Sequence, residues 1–174
     1  MPAEDAIFLL ELLSNAGAQT WLEGGWGVDA LTGVHSRAHG DLDIFIERRA
    51  LATVTAVLSA QGFVRAAGGR PENFVLKRGA LEVDIHVFDL DASGNGLYSM
   101  ADGTTWVCSA VGLAGRGQIL GREVQCFTAA LQLQCYSGYE MDENDLHDIA
   151  VLRRQFPGVQ PLPLDVRAGD WFQD

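Results

Sequence analysis

Apolar and polar positions alternate most cleanly over Asp41–Glu47. Leu42, Ile44 and Ile46 take one face there, and Asp41 and Asp43 take the other, which predicts a strand. Leu81–Phe88 repeats the pattern, with Leu81, Val83, Ile85 and Val87 as the buried set opposite Glu82, Asp84 and His86. Asn73–Lys77 reads as a strand joined to it by a hairpin turn at Arg78-Gly79. The period changes to that of a helix over Ala3–Ala16, where Ile7, Leu10 and Leu13 share a face and Gly17 closes the element. A short strand, Gln19–Leu22, runs into Gly24-Gly25. Helices are then predicted over Trp26–Thr32, stopped by Gly33, and over Ala50–Ala60, ending at Gly62.

The stretch Asp91–Gly121 is rich in Gly, Ser and Asp with short apolar pieces, so loops and a further hairpin are expected, with Gln118–Cys126 as its last strand. From Thr128 the pattern is helical, first over Thr128–Tyr136 and then over Asp142–Phe156. Asp142 and Asp145 stand as a capping-box-like start to the second of these, and Pro157 ends it. The tail Pro161–Asp174 has no clear period. This order predicts an α+β fold: a mixed sheet with flanking helices over residues 1–127, and a helical C-terminal part, 128–174, packed on it as one compact unit.

Composition narrows the function. At 174 residues the chain fits a single domain, and 48% hydrophobic residues suffice for a packed core. No apolar run reaches the roughly 20 residues that span a bilayer, and the start, with Glu4 and Asp5, is not that of a secretory signal. Cys108, Cys126 and Cys135 are odd in number and lack CxxC spacing, which speaks against a disulfide framework or a zinc site. A cytoplasmic protein, monomeric or homodimeric, is expected. The net charge of −11 supplies no surface for a polyanion, so a nucleic-acid partner is disfavoured and a neutral or cationic small substrate is favoured.

If the two acidic strands are neighbours, Asp41, Asp43 and Asp84 converge on one patch. Converging carboxylates repel unless a cation neutralises them, and a hard divalent ion such as Mg²⁺ suits an all-oxygen set. Two ions roughly 4 Å apart would clamp the attacking and leaving oxygens of a phosphoryl-type transfer. Asp-Leu-Asp alone also fits an ordinary exposed sheet face. Its upstream partner is Gly24-Gly25-Trp26-Gly27-Val28-Asp29, a strand-to-helix turn where backbone N–H groups and the helix dipole receive phosphate. Arg37 and His39, just before the aspartates, add a fixed cation and a second donor.

Strand, Gly-Gly, helix, Asp-x-Asp and a third Asp on a later strand resemble the DNA polymerase β nucleotidyltransferase superfamily. The Gly24-Gly25-Trp26 variant looks like its antibiotic-modifying branch, the aminoglycoside 2''-adenylyltransferases and, more closely, the lincosamide nucleotidyltransferases. The resemblance extends through Leu31-Thr32-Gly33, Arg37-x-His39-x-Asp41-Leu42-Asp43-Ile44, Leu81-x-x-Asp84-Ile85-His86, Ser137-Gly138-Tyr139 and Asp145-x-x-Asp148-Ile149. It implies an enzyme that uses ATP or another NTP with Mg²⁺ to adenylylate a hydroxyl of a small, cationic molecule. By the same resemblance Asp41, Asp43 and Asp84 ligate metal, Asp84 also being a candidate base, and Gly24, Gly25, Arg37 and His39 hold the phosphates. Trp26, His86 and Tyr139 are candidates for the acceptor pocket. A toxin-like nucleotidyltransferase acting on protein or RNA, and a non-catalytic nucleotide-binding module, are the competing readings.

Overall fold

The computed structural model describes residues 1–137 and 139–167, so Gly138 and the end of the tail lie outside the described residues. Helix α1, Ala3–Asn15, leads into strand β1, Thr20–Leu22, and helix α2, Gly24–Thr32. Strand β2, Asp41–Glu47, is followed by a short 3₁₀ turn and helix α3, Leu51–Ala60. Strands β3, Val64–Arg65, β4, Asn73–Arg78, and β5, Leu81–Leu90, come next, then β6, Gly96–Ser99, and β7, Thr105–Cys108. Strands β8, Gly115–Ile119, and β9, Arg122–Cys126, precede helices α4, Ala129–Cys135, and α5, Glu143–Gln155, and a last short strand, β10, Val166–Arg167.

The strands form one mixed sheet in the order β10-β7-β6-β5-β2-β1-β9-β8, with β4 and β3 continuing from the first half of β5. The α+β expectation holds. The feature that matters most is the parallel pairing of β2 with β5, which sets Leu42 beside Val83, Asp43 beside Asp84 and Ile44 beside Ile85. On one face Leu42, Ile44, Ile46, Val83, Ile85 and Val87 are fully buried against α1 and α3. The other face does not open to solvent along its length: beyond Asp43, Phe45 packs with Trp21, Phe88, Tyr98, Trp106 and Phe127 in a second core. A third cluster joins Val28 of α2 to Leu133, Tyr136, Val151 and Leu152 of the C-terminal helices. Because Ile44 is wholly enclosed on the central strand, Ile44→Ala is expected to lower the unfolding free energy by about 2–5 kcal/mol, read by denaturant titration.

Four local readings are revised. Gln118–Cys126 is not one strand but part of the β8–β9 hairpin, turned by Leu120 at φ 50° and Gly121 at φ 74°. Two successive left-handed residues suit a type I′ turn, yet Leu-Gly is not its usual signature, and the apolar leucine masks it. The β4–β5 turn is Gly79-Ala80, one residue later than expected. Helix α2 starts at Gly24 rather than Trp26, since the Glu23 carbonyl already accepts the Gly27 N–H at 3.2 Å. The tail contributes β10, which pairs antiparallel with β7. Among the described residues, no helix is long and apolar enough to cross a membrane.

Candidate active site

The site is assembled where β1, the start of α2, and the edge of β2 meet. Antiparallel pairing sets Leu22 against Ile44, and the Glu23 N–H then donates to the Asp43 carbonyl at 3.1 Å. The glycine turn is thereby fastened to the acidic strand. Gly24 adopts φ 62°, and a Cβ there would stand 2.6 Å from Asp43 Oδ2. A Cβ on Gly25 would stand 2.4 Å from His39 Nδ1 and 2.5 Å from Arg37 Nη2. Glycine is therefore required on both counts, left-handed backbone at the first position and close approach at both. The first amides of an α-helix have no intrahelical acceptor, so this turn offers N–H groups and a positive dipole end beside Arg37 and His39.

Both side chains are held by buried carboxylates. Arg37 donates from Nε to Asp148 Oδ1 at 2.9 Å and from Nη2 to Oδ2 at 2.6 Å, and Tyr136 Oη donates to the same Oδ2 at 3.2 Å. His39 Nε2 lies 2.5 Å from Asp29 Oδ2, and Asp29 Oδ1 accepts from the backbone and hydroxyl of Ser36. Burial pushes the Asp29 carboxyl up, but the hydrogen bonds from His39 and Ser36 outweigh it and hold it below its ordinary value. Asp148 is thus an internal hydrogen-bonding residue. Its partner Arg37 lies 111 positions away.

The carboxylates are crowded. Burial, followed by repulsion from Glu23, Asp41 and Asp84, drives the Asp43 carboxyl well above its ordinary value. Burial and the neighbouring Asp41 raise Asp84 to about 6. Glu23, which the sequence did not single out, is raised to about 7, again chiefly by burial, with Asp84 and Asp145 adding to it. It precedes the Gly-Gly pair, and only the β1–β2 pairing reveals that it joins the acids. Ligand atoms of Glu23, Asp43 and His86 lie within 4.8 Å of one another. A set of half-buried oxygens that repel one another fits a hard divalent cation, which would relieve the repulsion. His86 is pushed down to about 4 by burial and then by Arg70, so its imidazole is neutral. Its ring stacks on Phe45 at 4.6 Å, and Nδ1 lies 3.0 Å from Asn73 Nδ2, which makes Nδ1 the acceptor and leaves the hydrogen on Nε2 toward Asp84.

A cavity of about 490 Å³ opens beside this cluster, walled by Glu23, Phe45, His86, Tyr98, Trp106 and Tyr139. His86 and Tyr139 both line this cavity. Trp26 does not line it: it is 2% exposed and its ring packs on His39 and His35. The thiol of Cys135 also lines the cavity, and burial pushes it well above its ordinary range, which suits a small apolar wall residue rather than a nucleophile.

Residues 6–152 match the profile of the family described as aminoglycoside-2''-adenylyltransferase. The chain belongs to this family. Like other members it is a nucleotidyltransferase, and its fold is that of the polymerase β-like nucleotidyltransferases. It is similar to a lincosamide resistance protein of Staphylococcus haemolyticus, with 28% identity over 151 residues that make up 86% of this chain and 93% of that one. It also resembles the lincomycin-bound crystal structure of the lincosamide antibiotic adenylyltransferase LnuA, with a TM-score of 0.79 and 28% identity, covering 88% of this chain and 97% of that one. The aminoglycoside enzyme ANT(2'')-Ia, solved with adenylyl-2''-tobramycin, gives a TM-score of 0.66 at 16% identity, covering 84% of each chain, a likeness of fold.

Proposed function

We propose that this family member is a Mg²⁺-dependent adenylyltransferase that moves AMP from ATP, or another nucleoside triphosphate, to a hydroxyl of a small basic molecule, a lincosamide first and an aminoglycoside second. The observation that carries this reading is the crowding of Glu23, Asp43 and Asp84 between a glycine turn and an aromatic-walled cavity. The similarity to a lincomycin-bound enzyme along nearly its whole length supports the choice of acceptor. So does charge: Glu23 and Asp102 in the cavity wall, within a chain of net charge −11, favour an amine.

In this reading Gly24, Gly25, Arg37 and His39 receive the triphosphate, and Asp41, Asp43 and Asp84 hold the divalent ion, two ions in the complete assembly. A metal held there would neutralise charge developing on the phosphoryl oxygens. The acceptor hydroxyl oxygen attacks the α-phosphorus, the bond to the bridging α,β-oxygen breaks, and pyrophosphate leaves with the electron pair. Asp84, whose carboxyl is raised to about 6 by burial and by the neighbouring Asp41, accepts the hydroxyl proton. Glu23 orients the acceptor from the cavity wall, His86 and Tyr139 flank it, and the rate enhancement comes from positioning and charge compensation.

The test is incubation with ATP and Mg²⁺ and a panel of lincosamides, aminoglycosides and unrelated alcohols, read by mass spectrometry. An AMP adduct on a lincosamide is expected, and absence of an adduct across the panel contradicts the assignment. Glu23→Gln separates the roles: it is expected to raise the acceptor KM about tenfold while changing kcat little, a loss of the size expected when one charged contact is removed. Asp84→Asn, by contrast, is expected to reduce kcat with little change in acceptor KM.

A further inference from the structure

We propose that Asp148, on helix α5, is a positioning residue for the nucleotide: it locks the Arg37 guanidinium over the glycine turn in the orientation that receives phosphate. This rests on the reading that the glycine turn holds the triphosphate. The bidentate contact consumes the Nε and one Nη2 hydrogen, and Nη1 donates to the Ala38 carbonyl at 3.2 Å. Of the five N–H groups of a guanidinium, the two left over belong to the terminal nitrogens. One of those nitrogens, Nη2, lies where a Gly25 Cβ would come within 2.5 Å. Nη2, bonded to Asp148 through one hydrogen, is thus also the guanidinium nitrogen that adjoins the glycine turn.

The backing is unusually deep for a surface loop. Asp148 is 1% exposed, and its Oδ2 also accepts from Tyr136, itself 6% exposed. An apolar residue in that place would avoid the desolvation of a buried carboxylate, so fold stability alone does not call for an acid there. The platform is firm because α5 and α2 share the cluster of Val28, Val151 and Leu152, which ties the helix that carries Asp148 to the helix whose first turn is the glycine site. Arginine has a long, rotamer-rich side chain, and anchoring its fork in advance removes much of the ordering that nucleotide binding would otherwise require. The C-terminal helix thus belongs to the nucleotide site although none of its residues need touch nucleotide.

The experiment is calorimetric titration of the full chain with Mg²⁺ and α,β-methylene-ATP, for the wild type, Asp148→Asn, Arg37→Ala and the double variant, beside the melting temperature of each. Asp148→Asn is expected to weaken binding about tenfold, in line with other residues that orient a ligating side chain. In the Arg37→Ala background the same change is expected to have no further effect, because the residue acts through Arg37. Tyr136→Phe is the milder variant should Asp148→Asn fold poorly, with an expected loss of about threefold that also vanishes without Arg37. If Asp148→Asn lowers the melting temperature but leaves nucleotide affinity unchanged, or weakens it equally in both backgrounds, Arg37–Asp148 is a structural fastener and the proposal fails. No binding by the wild type would instead overturn the nucleotide reading, and this proposal with it.

Discussion

Asp43→Asn is expected to abolish nucleotidyl transfer while making the ligand-free protein more stable. The two effects have one cause. Asp43 sits half-buried beside Asp84 in register, with Glu23 and Asp41 close enough to oppose its ionisation. Such crowding is relieved by a bound cation. The folded state holds the Asp43 carboxyl above its ordinary value, so its stabilising contribution is complete below the unfolded value and is lost as pH rises through the folded one. Above the unfolded value the folded state therefore carries a cost at this carboxyl, and asparagine, with the same shape, escapes it. A gain of about 0.5–2 kcal/mol is expected, the range seen when active-site strain is removed. For a chain of this size that raises the melting temperature by about 2–6 °C. Loss of the metal-borne charge stabilisation, several kcal/mol, should lower kcat by about 10³-fold or more. Added Mg²⁺ should then raise the melting temperature of the wild type more than that of the variant. A stabilised variant that keeps its activity, or a dead one that is destabilised, would separate the two effects and refute the common cause.

Gly25→Ala is the second large effect, and it acts through sterics. Alanine favours a helix over glycine by about 1 kcal/mol, and Gly25 lies inside α2, so the substitution looks benign on propensity. Its methyl group would nonetheless stand 2.4 Å from His39 Nδ1 and 2.5 Å from Arg37 Nη2. The His39 ring is buried and pinned to Asp29, so it cannot retreat, and Arg37 must leave its bidentate seat or the helix start must shift. Overpacking of this kind costs about 1–3 kcal/mol, partly offset by propensity, so the melting temperature should fall by less than about 8 °C. Nucleotide affinity should fall about 100-fold, because Arg37 or the amides of the helix start are displaced from the proposed phosphate site. Titration with Mg²⁺ and α,β-methylene-ATP measures it, and near-wild-type affinity would remove Arg37 and His39 from the phosphate site.

What the sequence disclosed was local and periodic. The alternation in Asp41–Glu47 and Leu81–Phe88 set both carboxylates on one face because side-chain direction in a strand has a period of two. Their adjacency was only a condition there, met when β2 and β5 paired in parallel. What escaped depended on distant contacts. Glu23 joins the acids only because β1 lies against β2, and Asp148 reaches Arg37 across 111 positions. The phase of α2 misled as well: with the helix under way at Gly24, Trp26 lies about 200° further round it and packs on His39 instead of the cavity. The Leu120-Gly121 turn carries its left-handed backbone under an apolar side chain, so a hairpin read as a single strand.

Asp41, Asp43 and Asp84 are proposed to serve attack on the α-phosphorus. One measurement bears on it most directly: the phosphorus products released as the purified chain turns over ATP, Mg²⁺ and lincomycin, quantified with the modified acceptor. Pyrophosphate and an O-adenylylated acceptor, in equal amounts and both lost in Asp84→Asn, are predicted. Orthophosphate with a phosphorylated acceptor, or turnover undiminished in Asp84→Asn, would contradict the account.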